Sequence, residues 1–359
     1  MRIHDALTES ILPKAPRPHK AAQSRSFEAN ARRWCCVLAL AALLLAAPAL
    51  AQPIKLSVAA VNANFAQYFA AEDKGYFRDE GLDVAIVPLG GGTATPALIA
   101  GDLAYSGSPS SAMSAILRGA PLKVILIGQS KPIYELWSFD PTAHGLEDLK
   151  GKIVGLTQHG GTDELALRML LRARGLPPDF VTLVLLGSQA NNVAALLSGA
   201  QQNAVITRVE KGQLAAAGML GRGRLIVNFH DEIRLQTGGL VTTAKEITLH
   251  PDRVKRVLRA VWKGTLYLMH EREGVMEIVH RRDPGLTRET LEADVAGGMA
   301  DVDADGVMPM DAAAKELAAR AELNGIDPAK IPPPEQVYDF APLKAAIAEI
   351  AQSGWEPER

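Results

Sequence analysis

Short apolar runs alternate with segments of helical periodicity along most of the chain after residue 52. Residues 54–60 and 82–87 are apolar runs that predict strands, and residues 65–74 between them have the spacing of a helix. The run over 122–127 is apolar without a break, which is typical of a strand that helices cover on both faces of a parallel sheet. The repeated order of strand, helix and strand therefore predicts an α/β fold.

The same order starts again near residue 149. Residues 152–156 and 181–185 predict strands, and residues 162–174 predict a helix that begins with acidic side chains. A long helix is predicted over residues 251–270, where apolar side chains recur at helical spacing. The second series predicts a second domain, which an alanine-rich helical region follows.

Length and composition agree with a globular chain of two domains. The 359 residues are 48% hydrophobic and 22% charged, which fits neither a disordered chain nor a multispan membrane protein. The first 51 residues hold seven Lys or Arg and three Asp or Glu, so the rest of the chain is net acidic. A net acidic chain has no electrostatic footprint for nucleic acid, and we predict no nucleic-acid partner.

The N-terminal segment has the pattern of a secretion signal. The apolar stretch 35–50 follows a pair of arginines, and residues 49–51 have the small-x-small pattern of a signal peptidase site. We predict a signal peptide over residues 1–51, cleaved after Ala51, because the stretch is shorter than the roughly 20 residues of a membrane span. The arginine pair leaves the general secretory and the twin-arginine routes open. The protein is therefore expected in the periplasm.

Cysteines and metal-binding patterns exclude several kinds of site. Cys35 and Cys36 both lie in the predicted signal peptide, so the exported chain would have no disulfide, thiolate metal site or cysteine nucleophile. Asp301, Asp303 and Asp305 resemble the start of a calcium loop, but the twelfth position of that loop is an alanine instead of a glutamate. A turn before a helix fits this segment better, and we predict neither a metal nor a cofactor.

Small polar turns follow four of the predicted strands. These turns are residues 90–93, 106–108, 159–162 and 187–189. Where a strand leads into a helix, such a turn offers backbone N–H groups and hydroxyls to an anion or another polar group. Four turns of this kind in two domains predict a ligand cleft. Arg208 follows a further apolar strand, so its guanidinium could bind a carboxylate or a sulfonate bidentately.

Three segments carry a family resemblance. They are residues 68–125, which contain the turn GYFRDEGLDV, residues 146–171, which read LEDLKGKIVGLTQHGGTDELALRMLL, and residues 193–207, which read VAALLSGAQQNAVIT. The chain after residue 51 resembles the bacterial solute-binding proteins of ABC importers for nitrate, sulfonates and taurine, also described as SsuA/THI5-like or NMT1-like. The resemblance implies a two-lobed type II periplasmic binding protein fold. Each lobe would be a mostly parallel sheet flanked by helices, with the ligand cleft between the lobes.

The resemblance also divides the chain. Residues 52–148 would form the first part of lobe 1, residues 149–238 would form lobe 2, and residues 239–359 would return to lobe 1 and add the C-terminal helices. Hinges are expected near residues 130–150 and 235–242, where the chain passes between lobes. The predicted ligand contacts combine strand-end turns, two aromatic side chains and one arginine: Asn62, Asn64, Phe65, Gly92, Thr93, Ser108, Gln129, Trp137, Gly161, Thr162, Gln189 and Arg208.

The function that the resemblance implies is binding without catalysis. The protein would capture a small organic anion, such as a sulfonate or a carboxylate, and deliver it as a monomer to an ABC permease in the inner membrane. The same fold resembles the thiamine-pyrimidine synthases, but those enzymes use a cysteine-rich iron site that the exported chain lacks. A ligand-sensing partner of a membrane sensor is the third interpretation. The mostly neutral lining of the predicted cleft also leaves a zwitterion or a heterocycle open as ligand.

Overall fold

The computed structural model of the protein describes residues 52–157, 159 and 161–357. The predicted signal peptide and its cleavage site lie outside these residues. The described residues from 53 onwards group into one compact unit. Within the described ranges, no helix is long and apolar enough to cross a membrane.

Ten strands of the described chain form two sheets of five strands each. In chain order the strands are β1 (Ile54–Val58), β2 (Val84–Pro88), β3 (Tyr105–Ser106), β4 (Leu122–Gln129), β5 (Tyr134–Ser138), β6 (Ile153–Leu156), β7 (Thr182–Leu185), β8 (Asn203–Thr207), β9 (Arg224–Asn228) and β10 (Gly238–Thr243). The first sheet has the order β2-β1-β3-β10-β4, and the second has the order β7-β6-β8-β5-β9.

Each sheet is mostly parallel, as the sequence predicts. In the first sheet β10 runs against both of its neighbours, and the other four strands point the same way. In the second sheet β5 is the opposing strand. Each sheet and the helices packed on it form one lobe, and we call them the first lobe and the second lobe.

The opposing strand of each sheet is the first one that the chain enters after crossing from the other sheet. The crossings run through residues 130–133 and 233–237, which overlap the regions predicted as hinges. Two backbone hydrogen bonds join the second crossing to the first crossing and to the end of β4. Leu235 N–H donates to Ser130 O at 2.8 Å, and Thr237 N–H donates to Gln129 O at 3.0 Å. The first crossing comes before β5, so β5 belongs to the second sheet, although the sequence division kept residues up to 148 in lobe 1.

Helices cover both faces of each sheet. In chain order the helices of six or more residues are α1 (Ala66–Asp73), α2 (Gly91–Ala100), α3 (Pro109–Leu117), α4 (Thr162–Ala173), α5 (Gln189–Ser198), α6 (Arg208–Ala216), α7 (Ala244–Leu249), α8 (Pro251–His270), α9 (Arg272–Arg282), α10 (Arg288–Asp301), α11 (Met310–Leu323) and α12 (Ala341–Ser353). The long helix predicted over residues 251–270 is found with those bounds.

Helix α11 joins the two lobes beside the crossings. Leu317 is buried in a core that it shares with α2, α3 and β4 of the first lobe. Ala319 is buried in the core of the second lobe, with side chains of β6 and α4. Residues two positions apart point to nearly opposite sides of a helix, so α11 contacts a different lobe on each side.

Candidate functional site

The turn after β1 brings several predicted residues to the carboxyl edge of the first sheet. Asn62 caps a single turn of 3₁₀ helix, and its Oδ1 accepts the N–H of Asn64 at 3.1 Å. From the end of β4, Gln129 Nε2 donates to the backbone oxygen of Asn64 at 3.3 Å. Phe65 ends the turn and is half-buried. The fold therefore brings Asn62, Asn64, Phe65 and Gln129 together.

Ser108 adds a buried hydroxyl to this edge. It precedes α3, and its N–H donates to Ser106 Oγ at 3.3 Å. Ser106 pairs with Ser57 in the sheet. The hydroxyl oxygens of Ser57 and Ser108 are both buried, and neither has a hydrogen-bond partner among the described residues. Since buried polar groups are nearly always hydrogen-bonded in folded proteins, a ligand or a water is the expected partner.

The glycine-rich turn after β2 is open. Gly92 and Thr93 lie in the first turn of α2, and both are exposed. Thr93 Oγ1 donates to the backbone oxygen of Gly90 at 3.0 Å. A Cβ atom at Gly92 would meet no other atom within 4 Å. Both residues are therefore accessible from outside the chain.

In the second lobe, two carboxylates of the chain take strand-end N–H groups. Asp163 Oδ2 accepts the N–H of Thr157 at 2.6 Å after β6, and Glu210 Oε2 accepts the N–H of Thr207 at 2.8 Å after β8. Acidic side chains are favourable in the first turn of a helix because of its dipole. Both carboxylates are buried, and they add negative charge at an edge where the sequence predicts an anion.

The starts of α4 and α5 hold the other predicted residues of the second lobe. Gly161 caps α4 and is buried, and Thr162 is half-buried. Burial raises the pKa of Tyr134, and Asp163 raises it further, while a hydrogen bond with Thr162 acts in the opposite sense. The Thr162 hydroxyl therefore lies beside Tyr134, a residue that sequence analysis did not single out. Gln189 begins α5, and its Oε1 already accepts a hydrogen bond from a side chain three positions along the helix.

Trp137 lies inside the second lobe. It is on β5 and is 8% exposed, in a small core with Val193 and Ile206. Its indole N–H donates to Glu135 Oε2 at 2.6 Å, and Lys211 Nζ lies 2.7 Å from the other oxygen of that carboxylate. The structure therefore places this aromatic side chain in a core, with its only polar atom already hydrogen-bonded.

Arg208 has a partner within the chain. It begins α6, and its guanidinium donates two hydrogen bonds to the carboxylate of Asp301 at the end of α10, with Nη1 3.1 Å from Oδ1. His230 Nδ1 lies 3.5 Å from the same oxygen. Because α10 packs on the first lobe, these contacts join the lobes. The sequence predicts Arg208 as a ligand contact, whereas in the structure Asp301 occupies its guanidinium.

A second arginine, which the sequence did not single out, lies at the junction of the two lobes. Arg320 of α11 donates from Nη2 to Ser110 Oγ at 2.8 Å, two residues after Ser108. Its Nε donates to Glu316 Oε1 at 2.7 Å, and Glu316 Oε2 accepts the N–H of Gln236 in the second crossing at 2.9 Å. In sequence the pair is an ordinary i,i+4 pair of an alanine-rich helix, so its burial could not be predicted from spacing.

Asp303 lies beside the first crossing. Its Oδ1 accepts a hydrogen bond from Ser130 Oγ at 2.7 Å, and its Oδ2 is buried with no partner among the described residues. Burial raises the pKa of Asp303 to about 6. When the pKa of a carboxyl group is higher in the folded protein than in the unfolded chain, ionisation of that group lowers the free energy of unfolding.

We expect Asp303→Asn to change how stability depends on pH. The wild-type protein should lose about 2–3 kcal/mol of unfolding free energy, relative to this variant, as the pH rises from about 4 to about 6. Urea unfolding at several pH values measures the difference. Asp102→Asn, which removes an exposed carboxylate, provides the matched control variant. A constant difference between Asp303→Asn and wild type over this range would contradict the raised pKa.

The described residues contain no group of three or more His, Cys, Asp or Glu side chains that could hold a metal ion. Asp301 and Asp303, which resemble part of a calcium loop in sequence, bind Arg208 and Ser130 instead.

Comparison with known proteins assigns the chain to a family. A family model described as "NMT1/THI5 like" matches residues 62–274. A search of the curated proteins gives no match.

Solved structures show the same fold. A sulfonate ABC transporter periplasmic sulfonate-binding protein, SsuA, from Methylobacillus flagellatus KT has a TM-score of 0.67 at 17% identity, covering 86% of this chain and 97% of that one. The aliphatic sulphonate binding protein SsuA from Escherichia coli has a TM-score of 0.64 at 16% identity, covering 80% and 92%. The nitrate-binding protein NrtA from Synechocystis PCC 6803 has a TM-score of 0.58 at 14% identity, covering 86% and 92%.

Proposed function

The chain belongs to the NMT1/THI5-like family, and on that premise we propose that it is the periplasmic substrate-binding component of an ABC importer. It captures a small organic anion, a sulfonate, a carboxylate or a related compound, between its two lobes and delivers it to a membrane permease. The similar structures from Methylobacillus flagellatus, Escherichia coli and Synechocystis are named as sulfonate-binding or nitrate-binding proteins, which supports binding as the role.

The observation that carries this proposal is the buried, unpartnered hydroxyl of Ser108. It lies at the start of α3, where the helix dipole and the first N–H groups favour a negative group. Ser57 supplies a second such hydroxyl from the neighbouring strand. An acid group bound here would accept hydrogen bonds from both hydroxyls, and Asn62 and Asn64 provide amide groups at the same edge.

We propose no catalytic role for this cleft. With the predicted signal peptide removed, the chain has no cysteine to act as a nucleophile or to bind iron. The similar structures named above carry the names of binding proteins. We propose that the protein works as a monomer in the periplasm, with the permease as its partner and without a cofactor.

Thermal melts of the exported protein against a panel of small ligands test the proposal. The panel contains nitrate, bicarbonate, taurine, alkyl and aryl sulfonates, aromatic carboxylates and pyrimidines. A ligand at 100 times its dissociation constant stabilises the folded state by about 2.7 kcal/mol, which raises the melting temperature by several degrees in a chain of this size. If no sulfonate or carboxylate raises it, the proposed ligand class is wrong.

A matched pair of serine variants locates the acid group. Ser108→Ala should weaken binding of the stabilising compound on the order of tenfold, because it removes a hydrogen bond to a charged group. Ser111 lies in the same helix but is exposed, so Ser111→Ala should bind like the wild type. If the two variants bind the compound with equal affinity, its acid group does not bind at Ser108.

A further inference from the structure

One face of α10 consists of two aspartates and two glycines. Asp294, Gly297, Gly298 and Asp301 stand at positions i, i+3, i+4 and i+7, so they share one side of the helix. A glycine inside a helix costs about 1 kcal/mol relative to alanine. Two in succession therefore indicate that another part of the chain must come very close. Leu291, one turn before Asp294, and Val295 are buried in the first lobe's core, which attaches α10 to that lobe.

The two glycines make room for different neighbours. A Cβ atom at Gly297 would lie 2.5 Å from Arg208 Nε, so an alanine here would displace the end of the arginine side chain from the helix. A Cβ atom at Gly298 would lie 2.5 Å from the Cβ of Ala63, which belongs to the turn after β1. Gly297 thus makes room for a contact between the lobes, and Gly298 makes room for a contact within the first lobe.

The negative charges of this face are opposite in sign to the charge of Arg208, which packs against it. The side chain of Asp301 is fully buried, and the Arg208 side chain is 36% exposed. At the other end of the face, Asp294 Oδ2 accepts the N–H of Ala63 at 2.8 Å. Burial raises the pKa of Asp294, and the Ala63 N–H and the charge of Arg208 oppose that rise. Arg208 therefore lies near two carboxylates of the first lobe and binds Asp301 with two hydrogen bonds.

We propose that this face of α10 is a receptor for Arg208, and that Asp301 closes the second lobe onto the first as the arginine's own counter-ion. The two lobes can then close without a charged ligand group beside Arg208. Asp301 thereby determines specificity, because an acid group cannot bind to the Arg208 guanidinium while Asp301 holds it. An anion in the cleft binds away from Arg208.

The strength of such a pair follows from its burial. Exposed ion pairs are worth little, but a bidentate arginine–carboxylate pair with one partner fully buried is stronger, and removal of one partner leaves a buried charge. We expect loss of the pair to lower the ratio of closed to open protein on the order of tenfold.

Small-angle X-ray scattering of the exported protein, without added ligand, tests the proposal. Asp301→Asn and Arg208→Gln should each increase the radius of gyration relative to the wild type. The double variant should show the same increase as either single variant, because both changes remove one interaction. Gly297→Ala should give the same increase while it keeps every charge, and its higher helix propensity would favour rather than weaken α10.

Two controls separate opening from loss of structure. Arg174 and Glu232 form an ion pair within the second lobe, so Glu232→Gln should leave the radius of gyration unchanged. Thermal melts should show a cooperative transition for every variant. If Asp301→Asn and Gly297→Ala both scatter like the wild type, the proposal is wrong. The test uses no ligand, so its failure would leave the proposed ligand and transport role untouched.

Discussion

Glu316→Ala is expected to lower the free energy of unfolding by about 3–5 kcal/mol. The Glu316 carboxylate is fully buried, and the Arg320 side chain is 9% exposed. Without the carboxylate, Arg320 would keep a buried charge with only neutral partners. The N–H of Gln236 would lose its acceptor as well, and Gln236 is itself buried in the second crossing between the lobes. Urea unfolding at pH 7 measures the loss.

The same helix offers a matched control for this prediction. Lys315 and Asp311 stand at the same i,i+4 spacing in α11, but both side chains are about three-quarters exposed. Exposed helix pairs contribute about 0.3–0.5 kcal/mol, so Lys315→Ala should change the unfolding free energy very little. If Glu316→Ala costs no more than Lys315→Ala, the buried pair does not stabilise the junction of the lobes.

Gly239→Ala should destabilise the protein by about 3 kcal/mol or more. Gly239 has a φ of +137°, which residues with a side chain rarely adopt. A Cβ atom there would lie 2.1 Å from the backbone oxygen of Leu126 on β4. The register of β10 and β4 shifts at this point, and Tyr68 OH donates to the Gly239 oxygen at 2.7 Å. Strain and overpacking therefore act together.

Gly212 provides the comparison for Gly239. It lies in α6, and a Cβ atom there would meet nothing within 4 Å. Gly212→Ala should keep the stability of the wild type or raise it by up to about 1 kcal/mol, because alanine is the better helix former. Thermal and urea unfolding of both variants measure the contrast. Similar stabilities for Gly239→Ala and Gly212→Ala would show that the chain relaxes around residue 239.

The elements with strong local patterns could be predicted from the sequence. The long helix α8 was found with its predicted bounds because its apolar side repeats over five turns. Strand β5 was missed. Its five residues come shortly after a proline, so the local sequence predicts a connecting loop. Only the pairing of this segment with β8 and β9 identifies it as a strand. A strand whose partner strands are far away in sequence has no local pattern that identifies it.

The residues of the candidate site also differ in how far the sequence could predict them. Strand-to-helix turns can be read from glycines and hydroxyl residues, and this reading led to Ser108 and Thr162. The partner of Arg208 is 93 positions away, so the sequence could not show that Asp301 takes its guanidinium. The stripe of aspartates and glycines on α10 was a readable signal for a close approach, but not for which segment approaches. Burial of Glu316 and Arg320 depends on helix placement, which spacing alone does not specify.

The position of β10 sets the order in which the lobes can form. This strand lies between β3 and β4, yet it is made after all five strands of the second sheet. As the chain emerges, the second sheet becomes complete first, since its strands are contiguous from residue 134 to 228. Until residues 238–243 arrive, β4 has no partner strand and β3 has an unpaired edge, and such edges invite aggregation. The first lobe should therefore be the slower to fold and the one that most needs protection from aggregation, because non-local pairings form late.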